Sequence, residues 1–229
     1  MARWGLSGEQ RRARPWGLPE RILRSAKSIT NSVEGDVYLT RLEQLFVDSP
    51  PVQRLRRVRQ LGTSRFVYPD GDHSRFSHSL GALRVAQDLM DSALQQNTRP
   101  HPQEDLFSEW WEELGGEQRS EYDRRVAEAT VLARLGALLH DLGHLPFSHT
   151  VEDELGLLPR HDESAERFLF FWDQIVRFIE EELRADANEA EVADQVMASI
   201  TGALKIELEH LVLSGADVPP SAGLTWESA

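Results

Sequence analysis

An all-α fold is predicted by three features of the 229-residue sequence. Apolar residues recur at intervals of three and four along most of its length. Glycine and proline punctuate those stretches, and no run alternates apolar and polar residues for long enough to announce a strand.

The elements follow in chain order. Residues 1–18 are polar and contain Pro15 and Gly17, the composition of a loose arm. Residues 1–27 are therefore set apart from a single domain spanning 28–229. The stretch Val37–Leu45 is amphipathic, and Asp48-Ser49-Pro50-Pro51 stops it. Val52, Leu55, Val58 and Leu61 then recur at helical spacing, with Arg54, Arg56, Arg57 and Arg59 between them and Gly62 at the end. Pro69-Asp70-Gly71 is a turn. A helix from Phe76 to Leu94 follows, with Leu80, Leu83, Val85 and Leu89 as its apolar side. Residues 95–121, rich in Gln, Pro and Glu and holding Trp110 and Trp111, read as an exposed insertion. The clearest helix is Arg124–Leu142, with Val131, Leu135, Leu138 and Leu142 on one face and Gly143 as its cap. Pro146 breaks the chain before a short helix through His149 and Glu152. Two more helices are expected, Glu163–Leu183 and Glu189–Leu213, before Gly215 and Pro219-Pro220 close the pattern.

Composition narrows the function. With no cysteine, disulfides, thiolate metal sites and cysteine nucleophiles are excluded together. No apolar stretch is long enough to span a bilayer, and no apolar region follows the early arginines as in a signal peptide. The simplest reading is a cytoplasmic protein without a membrane partner. The net charge of -13 is unevenly spread: residues 1–75 carry 14 Lys/Arg against 8 Asp/Glu, and the remainder is strongly acidic. The basic first third can face the phosphates of a nucleotide or of a nucleic acid, although charge alone favours solvated helix faces.

Five histidines stand in motif-like settings: His78, His140, His144, His149 and His161. His140-Asp141 ends a helix that is apolar immediately before it, at Leu138-Leu139. An unpaired imidazole and carboxylate there would cost several kcal/mol, and a shared cation resolves that cost. A lone His-Asp pair at a helix end is ordinarily an ion pair, but three more histidines crowd this one. Their nitrogen and oxygen donors, without sulfur, suit divalent Mn, Mg, Fe, Co, Ni or Zn.

Several blocks, taken in order, resemble one family. They are Gln53-Arg54-Leu55-Arg56-Arg57, Gln60-Leu61-Gly62, Val67-Tyr68-Pro69, His73-Ser74-Arg75-Phe76-Ser77-His78-Ser79-Leu80-Gly81, Leu138-Leu139-His140-Asp141-Leu142-Gly143-His144 and Pro146-Phe147-Ser148-His149. Together they are similar to the deoxynucleoside-triphosphate triphosphohydrolase (dGTPase-like) branch of the HD-domain phosphohydrolases. The resemblance implies that His78, His140 and Asp141 are three of four metal ligands. It implies that His144, His149 and His161, with Asp162, line the phosphate path, one histidine protonating the leaving 5′-oxygen. It places Arg75 on a phosphate, and Gln60 with Leu61 near sugar or base. The implied reaction is attack of metal-activated water on the α-phosphorus of a dNTP, releasing deoxynucleoside and triphosphate. A homo-oligomer is expected with it.

Two departures from the family pattern stand out. His161-Asp162 replaces a His-Glu pair, and the fourth ligand, an aspartate from a later Asp-Tyr helix, has no matching motif. Asp173, Asp194 and Asp217 lack that context, so the C-terminal part of the family domain is expected to be absent. The alternative to an enzyme is then a catalytically incomplete module that binds nucleotide or nucleic acid in a regulatory role.

Overall fold

A computed structural model of the chain describes residues 15–31, 33, 35–68, 70–93, 120–147 and 149–213. Residues 1–14, most of the predicted insertion with Trp110 and Trp111, and the region of Asp217 lie outside the described residues. The described chain is helical apart from one hairpin.

Residues from 15 onward do not trail as an arm. The short helix α1 (Glu20–Leu23) buries Ile22 and Leu23, and Leu18 before it is fully buried, because these apolar side chains find the common core. Two antiparallel strands follow, β1 (Ser25–Asn31) and β2 (Gly35–Thr40), with Ile29 opposite Val37. The sequence conceals this hairpin because β1 is mostly exposed, and only Val37 and Leu39 of β2 show the period of two. The stretch predicted as one amphipathic helix from Val37 is thus a strand end and a helix start. Thr40 makes the break. Its hydroxyl accepts from the Glu43 N–H (3.2 Å) and the Glu43 carboxylate accepts from the Thr40 N–H (2.8 Å), a reciprocal cap that opens α2 (Arg41–Asp48).

Prolines 50 and 51 sit in the first turn of α3 (Pro50–Arg54), where their missing N–H groups cost nothing. The predicted helical run does not reach Leu61. One 3₁₀ turn covers Leu55–Arg57, and Val58 is already extended. The backbone there turns to pair with the start of the next helix: the Gln60 N–H donates to the His73 carbonyl (3.1 Å) and the Arg75 N–H to the Val58 carbonyl (2.8 Å).

Helix α4 (Arg75–Ala93) lies along α5 (Ser120–Leu139) in the most extensive helix pairing of the described chain. Phe76, Leu80 and Leu83 face inward as periodicity requires, but Val85 and Leu89 are exposed. Gln87 takes the inward position instead, because its Oε1 accepts from Arg134 of α5 (3.0 Å). Arg134 also makes a fully buried ion pair with Glu43 (2.6 Å), which ties α5 to α2. Along α5, Val131, Leu135 and Leu138 are buried as predicted, and Leu142 is buried in the turn beyond the helix.

The short element after Pro146 is a single π-type turn, Thr150–Glu154. Helix α6 (Ala165–Ala185) is capped by Ser164, whose Oγ accepts from the Arg167 N–H (3.3 Å), and buries Phe168, Trp172, Ile175, Ile179 and Leu183. The last predicted helix is divided into α7 (Ala193–Thr201) and α8 (Ala203–Val212). The division falls at Gly202, where a side chain would meet the Ala198 carbonyl oxygen.

Candidate metal centre

Helix α5 ends at Leu139, and the next residues carry the chemistry. The His140 N–H still donates to the Gly136 carbonyl (2.9 Å), so its side chain stays in helical register. His140 Nδ1 lies 2.8 Å from the Ala137 carbonyl oxygen; an acceptor there requires the proton on Nδ1 and leaves the Nε2 lone pair outward. His78, in the first turn of α4, brings its own Nε2 to 3.2 Å from that atom. Asp141 completes the corner, 3.4 Å from His140 Nε2 through Oδ1 and 3.8 Å from His78 Nε2 through Oδ2. Two converging imidazole nitrogens beside a carboxylate make a donor set compatible with a divalent cation.

Asp141 is buried between Arg75 and His144. Arg75 donates from Nη1 to its Oδ2 at 2.8 Å, and His144 Nε2 stands 3.3 Å from its Oδ1. Burial alone would raise this carboxyl, but the His144 contact and the fields of His140 and Arg75 outweigh it and hold it well below the usual carboxylate range. The same burial, only partly offset by Asp141, pushes His144 down to about 4, so His144 is neutral near pH 7.

A second group adjoins the first. His144 and His161 stack with ring centroids 3.5 Å apart, and His149 meets His144 edge-on at 4.8 Å. Glu152 lies under all three: its Oε2 is 3.2 Å from His161 Nδ1, 3.8 Å from His144 Nδ1 and 3.9 Å from His149 Nδ1. Its other oxygen accepts from Arg167 at 2.6 Å. Burial would raise Glu152, yet the hydrogen bonds from Arg167 and His161 hold it below its ordinary value. Burial lowers His161 and His78 as well. His149, half exposed, is the open member of the three.

The loop that carries His144 is pinned from two sides. Arg54 of α3 donates to the carbonyls of His144 and Leu142, each at 2.7 Å, and its guanidinium lies over the Phe171 ring. Arg167 of α6 reaches the Gly143 carbonyl (3.3 Å). These carbonyls belong to the turn beyond the helix end. Gly143 does not have the left-handed conformation of a capping glycine. Its role is proximity: a Cβ there would sit 3.0 Å from His161 Cβ.

The structure thus brings His78, His140, Asp141, His144, His149 and His161 into one neighbourhood. Asp162 is engaged by Arg160 (3.1 Å) at its edge. Arg75 is buried against Asp141 and also donates to the Gln60 carbonyl (3.4 Å), so it is a partner of the carboxylate before it is a grip for phosphate. Gln60 carries a buried Oε1 with no hydrogen-bond partner, and Leu61 beside it is partly exposed. Much of the basic first third is engaged internally, since Arg59 and Arg65 both pair with Asp72. Among the described residues no further carboxylate joins the corner of His78, His140 and Asp141: Asp173 is exposed, and Asp194 pairs with Arg184 (2.8 Å) on the surface. Glu152, Arg54 and Arg167 escaped the sequence reading. Glu152 follows His149 by three residues, a spacing that could have singled it out, but acidic neighbours disguise it; Arg54 is hidden in a run of arginines.

The HD domain family matches residues 75–218, and the chain belongs to that family. Human deoxynucleoside triphosphate triphosphohydrolase SAMHD1 is 33% identical over 124 residues, 54% of this chain and 16% of its own length. The SAMHD1 homolog of Dictyostelium discoideum is 34% identical over 136 residues, 58% of this chain and 22% of its own. An uncharacterized protein of Methanocaldococcus jannaschii is 32% identical over 126 residues, 55% of this chain and 21% of its own. The chain therefore spans about a fifth of these relatives' length. A crystal structure of a phosphohydrolase from Bacteroides thetaiotaomicron aligns with 25% identity and a TM-score of 0.42, covering 78% of this chain and 34% of that one. The chain thus carries the HD family's domain together with a His/Asp cluster whose donors could hold a divalent ion. No helix among the described residues is long and apolar enough to cross a membrane.

Proposed function

We propose that this chain hydrolyses deoxynucleoside triphosphates to deoxynucleoside and intact triphosphate. The observation that carries the reading is the corner of His78, His140 and Asp141 set directly against three clustered imidazoles, of which only His149 is widely open to solvent. The two relatives named as triphosphohydrolases support the substrate class.

When bound at His78, His140 and Asp141, a divalent ion (Mn, Mg, Fe, Co, Ni or Zn) would supply Lewis acidity to a phosphoryl oxygen and acidify a water. The chain's own groups do the rest. Arg75 keeps Asp141 ionised and aimed, and neutral His144 steadies its other oxygen. His149, the most exposed of the three imidazoles, gives a proton to the leaving 5′-oxygen. Glu152 and Asp153, 3.9 and 3.0 Å from His149 Nδ1, orient the ring. His161, stacked on His144 and bonded to Glu152, holds that carboxylate in place, with Asp162 restraining Arg160 at the rim. Gln60 and Leu61 border the sugar and the base. A homo-oligomeric assembly belongs to the same reading.

One observation favours a second reading, a module that binds nucleotide without hydrolysing it: among the described residues, three protein donors and no second carboxylate form the corner. The deciding experiment incubates the chain with manganese and each dNTP and separates the products by chromatography. Deoxynucleoside and triphosphate in equal amounts, lost in His140→Ala, are expected. Release of pyrophosphate or phosphate would assign another phosphohydrolase reaction, and nucleotide binding without turnover would select the module.

A further inference from the structure

The group formed by His144, His149, Glu152 and His161 has the make-up of a cation site in its own right. Donor atoms of His149, Glu152 and His161 all lie within 4.8 Å of one another. A second, independent observation is His144 Nδ1. It is buried without a hydrogen-bond partner in a residue only 1% exposed, and it stands 3.8 Å from Glu152 Oε2. A buried nitrogen without a partner calls for an explanation, and a lone pair kept for a cation is one of the few available.

We propose that His149, Glu152 and His161, with His144 Nδ1 closing the set, form a second divalent-cation site distinct from that of His78, His140 and Asp141. Up to three imidazole nitrogens around one carboxylate oxygen favour a borderline transition ion such as zinc; magnesium and calcium prefer oxygen. Charge sets the strength. Arg167, 2.6 Å from Glu152 Oε1, opposes a cation, while Asp153, 3.0 Å from His149 Nδ1, favours one. The site therefore fills from added zinc and binds less tightly than a closed structural zinc site. An ion here occupies the lone pairs that the proposed hydrolysis uses for proton transfer. On that reading, zinc at this site is inhibitory.

The test reads binding, so it does not depend on turnover. The metal-free 229-residue chain is titrated with zinc by calorimetry, and with cobalt(II), whose visible absorption reports tetrahedral nitrogen and oxygen ligation. Wild type is expected to take two equivalents, His140→Ala one, His149→Ala one, and the double variant none. His149 is exposed enough for its truncation to leave the fold intact, which the helical circular dichroism verifies; Glu152→Gln serves as the second probe of the same site. The proposal fails if wild type takes a single equivalent that His140→Ala removes. It fails equally if a second equivalent persists in both His149→Ala and Glu152→Gln. One equivalent lost in His149→Ala and kept in His140→Ala supports this site while refuting the His78–His140 centre.

Discussion

Asp141 is held on both sides, buried with Arg75 on one oxygen and His144 on the other. Truncating it leaves the Arg75 guanidinium buried without its carboxylate, and such losses cost about 3–5 kcal/mol. His140, 39% exposed at its side chain, leaves no buried charge behind and should cost about 1 kcal/mol or less. Urea denaturation of metal-free Asp141→Ala and His140→Ala measures the difference, and equal losses would mean that the Arg75–Asp141 pair does not hold the loop. For the same reason Arg75→Ala should weaken folding as well as nucleotide binding. Acid acts on the same group. His144 titrates near 6.5 when unfolded and near 4 when folded, so between those values the unfolded chain holds the extra proton. Stability of the metal-free protein is then full above pH 6.5 and falls as the pH drops toward 4, by about 3 kcal/mol from this group. His161 and His78, also lowered by burial, push in the same direction, and Asp141, held down, loses its share only at lower pH still. Denaturation midpoints at pH 7 and 4.5 check the trend, which His144→Gln should flatten.

At the scale of elements, the histidine blocks were legible because metal chemistry uses few residue types and places them at short, repeated spacings. Glu152 was not, because a carboxylate in a polar turn looks the same whether it is solvated or buried under three imidazoles. The hairpin escaped for a related reason: a strand that packs little shows no alternation, and Thr40 as a cap is visible only once the chain is known to turn there. Val85 and Leu89 misled because the inward place on α4 belongs to Gln87, whose partner Arg134 comes from another helix. Tertiary partners of this kind leave no mark on local periodicity. Gly143 offers the test at this scale. A methyl group there meets His161 at 3.0 Å and its carbonyl oxygen at 3.2 Å, so Gly143→Ala must displace the segment that carries His161. Since that segment lies outside regular structure, we expect a stability loss of about 1–2 kcal/mol. Turnover should fall by more than ten-fold, as His161 leaves Glu152. Turnover like that of wild type would show that the close approach has no part in the site.

Over the whole molecule, the site is assembled from parts far apart in the chain. His78 comes from the start of α4, His140 to His144 from the end of α5, and Glu152 and His161 from the connection into α6. Arg54 and Arg167 lace these parts together by binding three successive carbonyls from α3 and α6. A turn following a helix ordinarily opens by itself, and its amide protons are then replaced by deuterium within seconds to minutes. This turn is tied to two helices of the core and cannot open without detaching from both. The amides of Leu142 and His144 should therefore exchange at the slow rate of the α5 interior. In Arg54→Ala they should exchange far faster than that helix, while α5 itself keeps its protection. Fast exchange already in the wild type would show that the two arginines decorate the loop without restraining it. If the restraint holds, the histidines keep their places in the absence of any ligand, and nucleotide meets a surface already arranged to receive it.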